Sequence, residues 1–462
     1  MRKISGDIKA GIWYTIGNFI NRGIAFVSTP VFTRLLSKED YGEFSNFTAW
    51  ATLLGVVTSI DLYASVSRAY YDYEEDFDTY MSTISWLSVV FSAFCYLAAF
   101  LFRKPVMHML GMDLRYMNML FVYLIFAPAS QFFMIWQRMR GKYMSSIFVS
   151  VGGAVFSLVL SVITVLAFQD KVWARVVGYV LPVVMVNLVL YGIFFSRGRK
   201  FVRERAKYAL MISVPMIPHH LSGSVLNNSD RFVIKYYCGN ADLAVYSFAY
   251  NCALVVSVFS TSVNQAYVPW MYRKLKENDV GAVSNQGKKL FLFFHMIVLG
   301  VMLFTPELVY ILGGKKYRDS VLVIPAIMLG CCFQFFYTYY VNLEIYCKKT
   351  ITVSVCTLCA AGANLVLNFL FVPQFGYTAA AVTTLISYAM LCFMHYMAVK
   401  KLPYKNLYDH KTQAGIIVLF SIGCGVMPYL YKNAAIRGLV ILIYLISVCC
   451  ITYKLFRKEA GR

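Results

Sequence analysis

Residues 227–250 read NNSDRFVIKYYCGNADLAVYSFAY, and a looser copy of this stretch, TPVFTRLLSKEDYGEFSNFTAW, occupies residues 29–50. In both copies an apolar run ends on a basic residue and is followed by a short polar turn that contains an aspartate. An aromatic residue followed by serine then opens a second apolar run. Each copy therefore predicts two helices joined by a tight loop. A unit of this kind made twice indicates a chain built from two similar halves.

A second pair of similar segments has nearly the same spacing. FSLVLSVITVL at residues 156–166 matches ANLVLNFLFVP at residues 363–373, and both contain Leu-Val-Leu. Chance similarity has no reason to keep one offset. Two weak matches about 200 residues apart therefore support a duplication more strongly than either match alone.

The composition places the chain in a lipid bilayer. Apolar residues make up 59% of the 462 residues, charged residues 14%, and the mean hydropathy is +0.61. Apolar runs of about 20 residues, the length that a membrane-spanning helix needs, recur to the end of the sequence. Because these runs are continuous and not alternating, they favour helices over a membrane barrel. The predicted fold class is an all-α polytopic membrane protein.

We predict about fourteen transmembrane helices, arranged as two parallel six-helix lobes and a C-terminal helix pair. The N-lobe is residues 1–200, the C-lobe residues 201–405, and the pair residues 406–462. Since six is even, both lobes enter the membrane from the same side, as in transporters with parallel repeats. The predicted spans lie near residues 10–33, 41–65, 79–101, 116–136, 143–168, 172–195, 208–233, 243–268, 290–311, 321–343, 350–371, 377–399, 412–430 and 436–456.

The net charge of +21, from 43 Lys and Arg against 22 Asp and Glu, follows the predicted topology. Alternate connections between spans differ about two to one in Lys and Arg, as the positive-inside rule expects. This bias predicts that both termini are cytoplasmic, and it argues against a nucleic-acid partner. The basic segment SRGRKFVRERAK at residues 196–207 is predicted to be a cytoplasmic linker that contacts anionic membrane lipid.

The sequence offers no motif for ATP, a metal or a catalytic nucleophile. GAVSNQGKK at residues 281–289 has five residues between its glycines and ends in lysine, where a phosphate-binding loop needs serine or threonine. Cys, His and carboxylates show no metal-ligand spacing, and no nucleophile elbow is present. We therefore expect no cofactor, no metal and transport without enzymatic activity. Transport would have to use an ion gradient, the membrane potential or the substrate gradient.

Polar and ionisable residues at membrane depth are the candidate substrate-binding residues. Arg22 lies about 12 residues, roughly 18 Å, into the first predicted span. Leaving it in lipid would cost about 2.5–3.5 kcal/mol or more, so we expect it to face a water-filled cavity. Two adjacent histidines lie midway along the seventh span, although a bond to a neighbouring carbonyl explains either histidine alone equally well. The candidates are Arg22, Asn18, His219, His220, Asn227 and Arg231.

Three further residues are candidates for coupling or gating. Asp61 lies in the second predicted span, where interhelical bonding near the helix end is an alternative explanation. Pro215 and Pro218 remove backbone donors beside the histidines, which predicts that the seventh span is bent or loosened there.

LLSKEDYGEFSNF after the polar first span, SRAYYDYEEDFDTYMS after the second and SDRFVIKYYCGNADLAVYSFAY at the start of the second half resemble the polysaccharide transporter family of lipid-linked oligosaccharide flippases. This family belongs to the superfamily that also holds the multidrug and toxin extrusion exporters and the lipid II flippases. The resemblance covers essentially the whole chain. One departure is Ala244, where the second copy usually has glycine.

The resemblance implies a bacterial inner-membrane protein that moves an undecaprenyl-diphosphate-linked O-antigen or capsule repeat unit by alternating access. It implies that Arg22 matches a cationic cavity residue in the first helix. The expected partners are the lipid-linked oligosaccharide, membrane lipid and glycan polymerase machinery. Two alternatives stay open: a drug or cation exporter of the same fold, which Arg22 disfavours, and a polytopic glycan polymerase or glycosyltransferase, which the short outer connections disfavour.

Overall fold

A computed structural model describes residues 6–404 and 407–460, with side chains at Trp13, 16–404 and 407–450. Within these residues every regular element is a helix, which confirms the predicted all-α fold. The first part of the chain contains α1 (Gly6–Leu35), α2 (Lys38–Thr58), α3 (Tyr63–Asp72), α4 (Phe77–Leu101), α5 (Arg103–Leu110), α6 (Leu114–Phe126), α7 (Pro128–Met139), α8 (Tyr143–Ala167) and α9 (Lys171–Gly198).

The rest of the described chain is equally helical. It contains α10 (Arg203–Ser213), α11 (Ile217–Cys238), α12 (Asn240–Lys276), α13 (Val280–Leu303), α14 (Thr305–Gly313), α15 (Ile324–Tyr346), α16 (Thr350–Phe375), α17 (Tyr377–Val399), α18 (His410–Lys432) and α19 (Ala434–Ala460). Short 3₁₀ segments lie at Glu74–Asp76, Val214–Met216 and Lys315–Leu322.

In the described part of the chain, twelve helical segments are long and apolar enough to cross a membrane. They correspond to the predicted spans two to thirteen. The first and last predicted spans are also helical, as α1 and α19, but the apolar part of α19 is the shorter Ala434–Cys450. The 30-residue α1 has the required length, and its polar side chains keep it below the hydropathy of the other spans. The prediction of about fourteen spans therefore agrees with the helices observed.

Three of the predicted spans are interrupted. Between α2 and α3, Ile60 and Asp61 adopt left-handed backbone angles, with φ of 51° and 52°. Between α6 and α7, Pro128 starts a new helix because it lacks the backbone donor that would continue the first. Between α10 and α11, the segment Val214–Met216 is 3₁₀, so the loosening that its prolines predicted is observed. Each interrupted segment is still a single candidate membrane span, as the sequence predicted: Lys38–Asp72, Leu114–Met139 and Arg203–Cys238.

By its internal contacts the chain divides into two compact units. The first unit comprises residues 1–247 and 357–377, and the second comprises residues 248–356 and 378–462. These boundaries differ from those of the lobes inferred from the repeats, and the lobes stay a prediction. The first unit contains two apolar cores, one around Trp136, Phe132 and Phe194 and the other around Met117 and Leu120.

The second unit has its own aromatic core. The rings of Phe294 and Phe335 stack with centroids 3.8 Å apart. At the start of α18, the Asp409 carboxylate accepts a 2.7 Å hydrogen bond from the Thr412 hydroxyl and lies 3.1 Å from Nζ of Lys288. These partners stabilise the ionised form and hold the pKa of Asp409 well below its usual range. Asp409 thereby caps the helix in its charged state.

The polar turn of the first sequence copy is a capped helix start. Ser37 accepts a hydrogen bond from the backbone nitrogen of Asp40, and the Asp40 side chain accepts one from the backbone nitrogen of Ser37. This reciprocal capping box ends α1 and begins α2, as the Ser-Lys-Glu-Asp sequence dictates. Within the first unit α2 packs along α11, where the rings of Trp50 and Phe232 stack with centroids 4.1 Å apart. The two sequence copies are therefore in direct contact.

Candidate functional site

Arg22 lies near the middle of α1, and its side chain is half-buried. Asn18, one turn earlier, is exposed. The next residue, Asn21, points into the first unit, where its amide nitrogen donates a 3.1 Å hydrogen bond to the hydroxyl of Ser150 on α8. The polar surface of α1 is therefore divided between the interior of this unit and its outside.

The predicted residues of α11 also separate into different environments. Asn227 is exposed, and its amide donates to the backbone oxygen of Gly223 at 2.7 Å. Arg231 is half-buried, and its Nη1 lies 3.5 Å from Oδ1 of Asn228. Asp230, which the sequence reading did not select, is fully buried and accepts a hydrogen bond from the hydroxyl of Tyr246.

The break between α2 and α3 places Asp61 against α11. Its side chain has no solvent exposure, and its Oδ2 lies 2.6 Å from Nδ1 of His220. Because a carboxylate can only accept, Nδ1 of His220 carries the hydrogen in this bond. Oδ1 of Asp61 is buried and makes no hydrogen bond within the described part of the chain. Asp61 and His220 are thus brought together from two interrupted helices, 159 residues apart in sequence.

Two further side chains surround this pair. The Tyr63 ring stacks on His220 with centroids 5.7 Å apart, and its hydroxyl lies 3.4 Å from Nδ1. The His219 ring centroid is 5.3 Å from that of His220. The sequence analysis did not predict a role for Tyr63. Its position two residues after Asp61 indicates one only when the break between α2 and α3 is known.

A cavity of about 440 Å³ lies beside the pair inside the first unit. Ser59 and Tyr63 line it from the α2–α3 break, and Ser224, one turn beyond His220, lines it from α11. Thr52 and Gln131 add polar groups from α2 and α7. A buried carboxylate bonded to a half-exposed imidazole beside such a cavity can accept, hold and release a proton. Loss of His220 would leave a fully buried carboxylate without its partner, whereas loss of Asp61 would leave an imidazole that still reaches solvent.

Asp61 makes the interhelical bond that the sequence left as an alternative explanation. Glu344 makes a bond of the same kind. Both oxygens of Glu344 lie 3.0–3.1 Å from Nδ1 of His395, and both side chains are buried. This second acid–histidine pair lies in the second unit.

The acidic run DYEEDFD at residues 72–78 is held by arginines. Arg205 of α10 contacts Asp76 at 2.6 Å, and Arg140 after α7 contacts Asp78 at 2.9 Å. Asp72 accepts hydrogen bonds from Arg68 and from Tyr208 of α10. Since α10 begins within the basic segment 196–207, the Arg205 contact attaches this segment to the connection between α3 and α4.

A family model described as polysaccharide biosynthesis protein matches residues 8–275, more than half of the chain. The chain belongs to this family. A relative within the curated proteins, an uncharacterized membrane protein of Haemophilus influenzae, is 24% identical over 366 residues, which cover 76% of this chain and 87% of the relative. The expected membership of the polysaccharide transporter family is thereby confirmed.

Solved structures share the fold of this family member. Lipid II flippase MurJ in an inward closed conformation matches with a TM-score of 0.74 and 15% identity, covering 96% of this chain and 100% of that chain. A multidrug resistance MATE family transporter of the MOP superfamily, in an inward-facing conformation, matches with a TM-score of 0.59 and 15% identity, covering 85% of this chain and 95% of that one. The protein is a multi-pass membrane protein with a flippase and transporter fold.

Proposed function

We propose that this protein is a flippase that carries an undecaprenyl-diphosphate-linked oligosaccharide, such as an O-antigen or capsule repeat unit, across the bacterial inner membrane. The observation that carries the proposal is that 96% of this chain matches the fold of a lipid II flippase. The chain also belongs to a polysaccharide biosynthesis family. The name of the solved protein supports lipid translocation, and the description of the family supports a glycan cargo.

Arg22 is the proposed contact for the diphosphate. A guanidinium presents paired donors that match two phosphate oxygens, and a half-buried position strengthens charge-assisted bonds of this kind. The exposed amides of Asn18 and Asn227 and the half-buried Arg231 are proposed to contact the sugars or the phosphates. An arginine at this position is poorly suited to a cationic drug, which favours the flippase over an exporter of the same fold.

The Asp61–His220 pair is the proposed coupling site. A proton that reaches the pair neutralises the carboxylate and weakens its 2.6 Å bond to His220. Since the bond joins the α2–α3 break to α11, its loss releases α11 to move relative to α3. A proton gradient would then drive the alternation between inward-open and outward-open states.

Several polar and charged side chains lie near the Asp61–His220 pair or on elements that pack against α3. His219 and Tyr63 interact with it directly. Elements that pack on α3 contribute Tyr80 of α4, whose hydroxyl donates to Ser65, and Tyr208 of α10, whose hydroxyl donates to Asp72. Arg138 is the charged residue of α7, which also packs on α3. The Asp61–His220 pair, with His219 beside it, is the proposed site at which the proton acts.

Both termini are proposed to be cytoplasmic, with membrane lipid and glycan polymerase machinery as partners. The experiment that tests the function is deletion of the gene in its host. We expect loss of the surface glycan and accumulation of lipid-linked repeat units in the cytoplasmic leaflet, both reversed by the wild-type gene.

Other outcomes identify the alternatives. Normal surface glycan with increased sensitivity to cationic drugs would replace the flippase by a drug exporter. Repeat units that reach the outer leaflet but stay unpolymerised would indicate a glycan polymerase.

A further inference from the structure

A second cavity, of about 380 Å³, lies inside the first unit between α1, α7, α8 and α9. It adjoins the cavity beside Asp61, since Ser130 and Val183 line both. Eight of its eighteen lining residues are polar, four of them serines, but most of the surface that faces the cavity is apolar. A cavity of this size and character is typical of a site for a small ligand.

Arg175 of α9 provides the charge in this cavity. Its side chain is only 9% exposed, and its guanidinium carbon lies 3.7 Å and 4.2 Å from the ring centroids of Phe32 and Phe44. Nη1 donates to the hydroxyl of Ser161, and the buried Nε makes no hydrogen bond within the described part of the chain. Among the described side chains no carboxylate lies within ion-pair distance of Arg175.

A cation in this position is costly without an anion. Burying an arginine without a paired anion costs free energy because the charge loses its hydration. Cation–π contacts with Phe32 and Phe44 offset about 0.5–2 kcal/mol each. The remaining guanidinium N–H groups are donors that a carboxylate or phosphate oxygen can accept.

The far end of the cavity carries amide oxygens. Asn187 lies twelve residues after Arg175 on α9, which corresponds to about 18 Å along the helix. Its amide nitrogen donates to the backbone oxygen of Val183, and that of Asn21 donates to Ser150. The Oδ1 atoms of both asparagines are buried without a hydrogen bond in the described structure. The cavity therefore has an arginine at one end, mainly apolar surface along its walls, and the side chains of Asn21 and Asn187 at the other end.

Packing between the helices does not require Arg175. At Gly178 a β-carbon would lie 2.4 Å from Cα of Ser161, so α8 and α9 are in backbone contact. The Thr164 hydroxyl on α8 also donates to the backbone oxygen of Ala174 at 2.8 Å. These contacts already join the two helices. Helix packing alone therefore does not explain why a charged residue is buried at position 175.

We infer that this cavity binds an anionic amphiphile, with a carboxylate or phosphate at Arg175 and an apolar chain along the cavity toward Asn21 and Asn187. The inference does not depend on the proposed function, because the residues involved belong neither to the Arg22 site nor to the Asp61–His220 pair.

Two adjacent glycines of α8 offer a matched test. Gly153 lines the cavity, and a β-carbon there meets no atom within 4 Å, so Gly153→Leu fills the cavity without a backbone clash. Gly152 is exposed and is equally open, so Gly152→Leu places the same side chain outside. Each protein is placed in phosphatidylcholine nanodiscs and melted in the presence of decanoate, decanol or inorganic phosphate.

A ligand that binds the folded state raises the melting temperature. We expect decanoate to raise the melting temperature of the wild type and of Gly152→Leu. In Gly153→Leu and Arg175→Gln, at least tenfold more decanoate should be needed for the same rise in melting temperature. Equal shifts in all four proteins would overturn the inference, as would an equal shift with decanol or with inorganic phosphate. If Arg175→Gln does not fold, the two glycine variants decide the outcome.

Discussion

A β-carbon at position 42 would lie 1.9 Å from the backbone oxygen of Asn240, so Gly42 and Asn240 are closer than any other residue at position 42 would allow. Beside this contact, the Glu43 carboxylate accepts hydrogen bonds from Lys235 at 2.7 Å and from Asn240 at 2.8 Å. The polar turns of the two sequence copies thus form a single hydrogen-bonded contact. The glycine of the first copy is required because the second copy fills the space in front of it.

Gly42→Ala is therefore expected to force α2 away from the start of α12. Overpacking of this kind costs about 1–3 kcal/mol, and the Glu43 bonds would lengthen with the same movement. Gly192→Ala is the matched control, because a β-carbon at Gly192 meets nothing within 4 Å. The melting temperature of the purified protein and the rate of surface-glycan export should both fall for Gly42→Ala. Both should stay unchanged for Gly192→Ala. Equal behaviour of the two variants would contradict the close contact.

Arg22→Gln is expected to abolish glycan export, and Arg22→Lys to leave partial activity, because lysine keeps the charge but loses the paired donors. Neither change should lower the amount of protein in the membrane. Arg68→Gln serves as the control, since Arg68 is exposed and pairs with Asp72. The rival explanation, an ion pair that supports the fold, predicts a lower protein level for Arg22→Gln and recovery in the double variant with Asp61→Asn. The bond between Asp61 and His220 argues against such recovery.

Asp61→Asn and His220→Gln are each expected to remove the dependence of export on the proton gradient. His220→Gln should also cost about 3–5 kcal/mol in stability, because it leaves the fully buried Asp61 carboxylate unpaired, and Asp61→Asn should cost less, because His220 reaches solvent. The double variant should cost less than the sum, because the two groups are in direct contact. Glu344→Gln is the matched control: it breaks a buried acid–histidine pair of the second unit. Export should be measured with and without an uncoupler. An uncoupler effect on Asp61→Asn as large as that on the wild type would exclude the pair as the coupling site.

Replacing both Pro215 and Pro218 with alanine should restore backbone donors in the 3₁₀ segment and favour a continuous helix from α10 into α11. We expect slower export with unchanged protein level, since the interruption would have to reform at each cycle. Pro428→Ala, inside α18 of the second unit, is the control for losing a proline from a helix. Export at the wild-type rate in the double variant would show that the interruption serves packing alone.

The predicted topology places Lys200 and Lys276 in the cytoplasm and Lys316 outside. Single cysteines at these positions should therefore react differently with an impermeant reagent added to intact cells. Labelling is expected at position 316 and, at positions 200 and 276, only after the membrane is opened. The opposite pattern would invert the proposed orientation.

The sequence predicted the helices well because apolar run length and hydropathy fix where a chain can cross a membrane. It did not predict the break at Ile60, since a β-branched residue rarely adopts left-handed angles and carries no local signal for them. It selected His220 and Asp61 as separate candidates, but their contact joins residues 159 positions apart. It did not select Arg175, which lies near the start of a predicted span, whereas the fold buries it against the rings of Phe32 and Phe44.

The left-handed angles of Ile60 and Asp61 have a mechanical consequence. Backbone strain of this kind costs about 1–3 kcal/mol per residue, so surrounding contacts must hold the turn in place. If both residues adopted right-handed angles, α2 and α3 would wind into one rod over the 35 residues Lys38–Asp72. Each residue that joins a helix turns everything beyond it by about 100°. This one short turn therefore sets the rotation of Asp61, and of the segment that pairs with Arg205, relative to the start of α2.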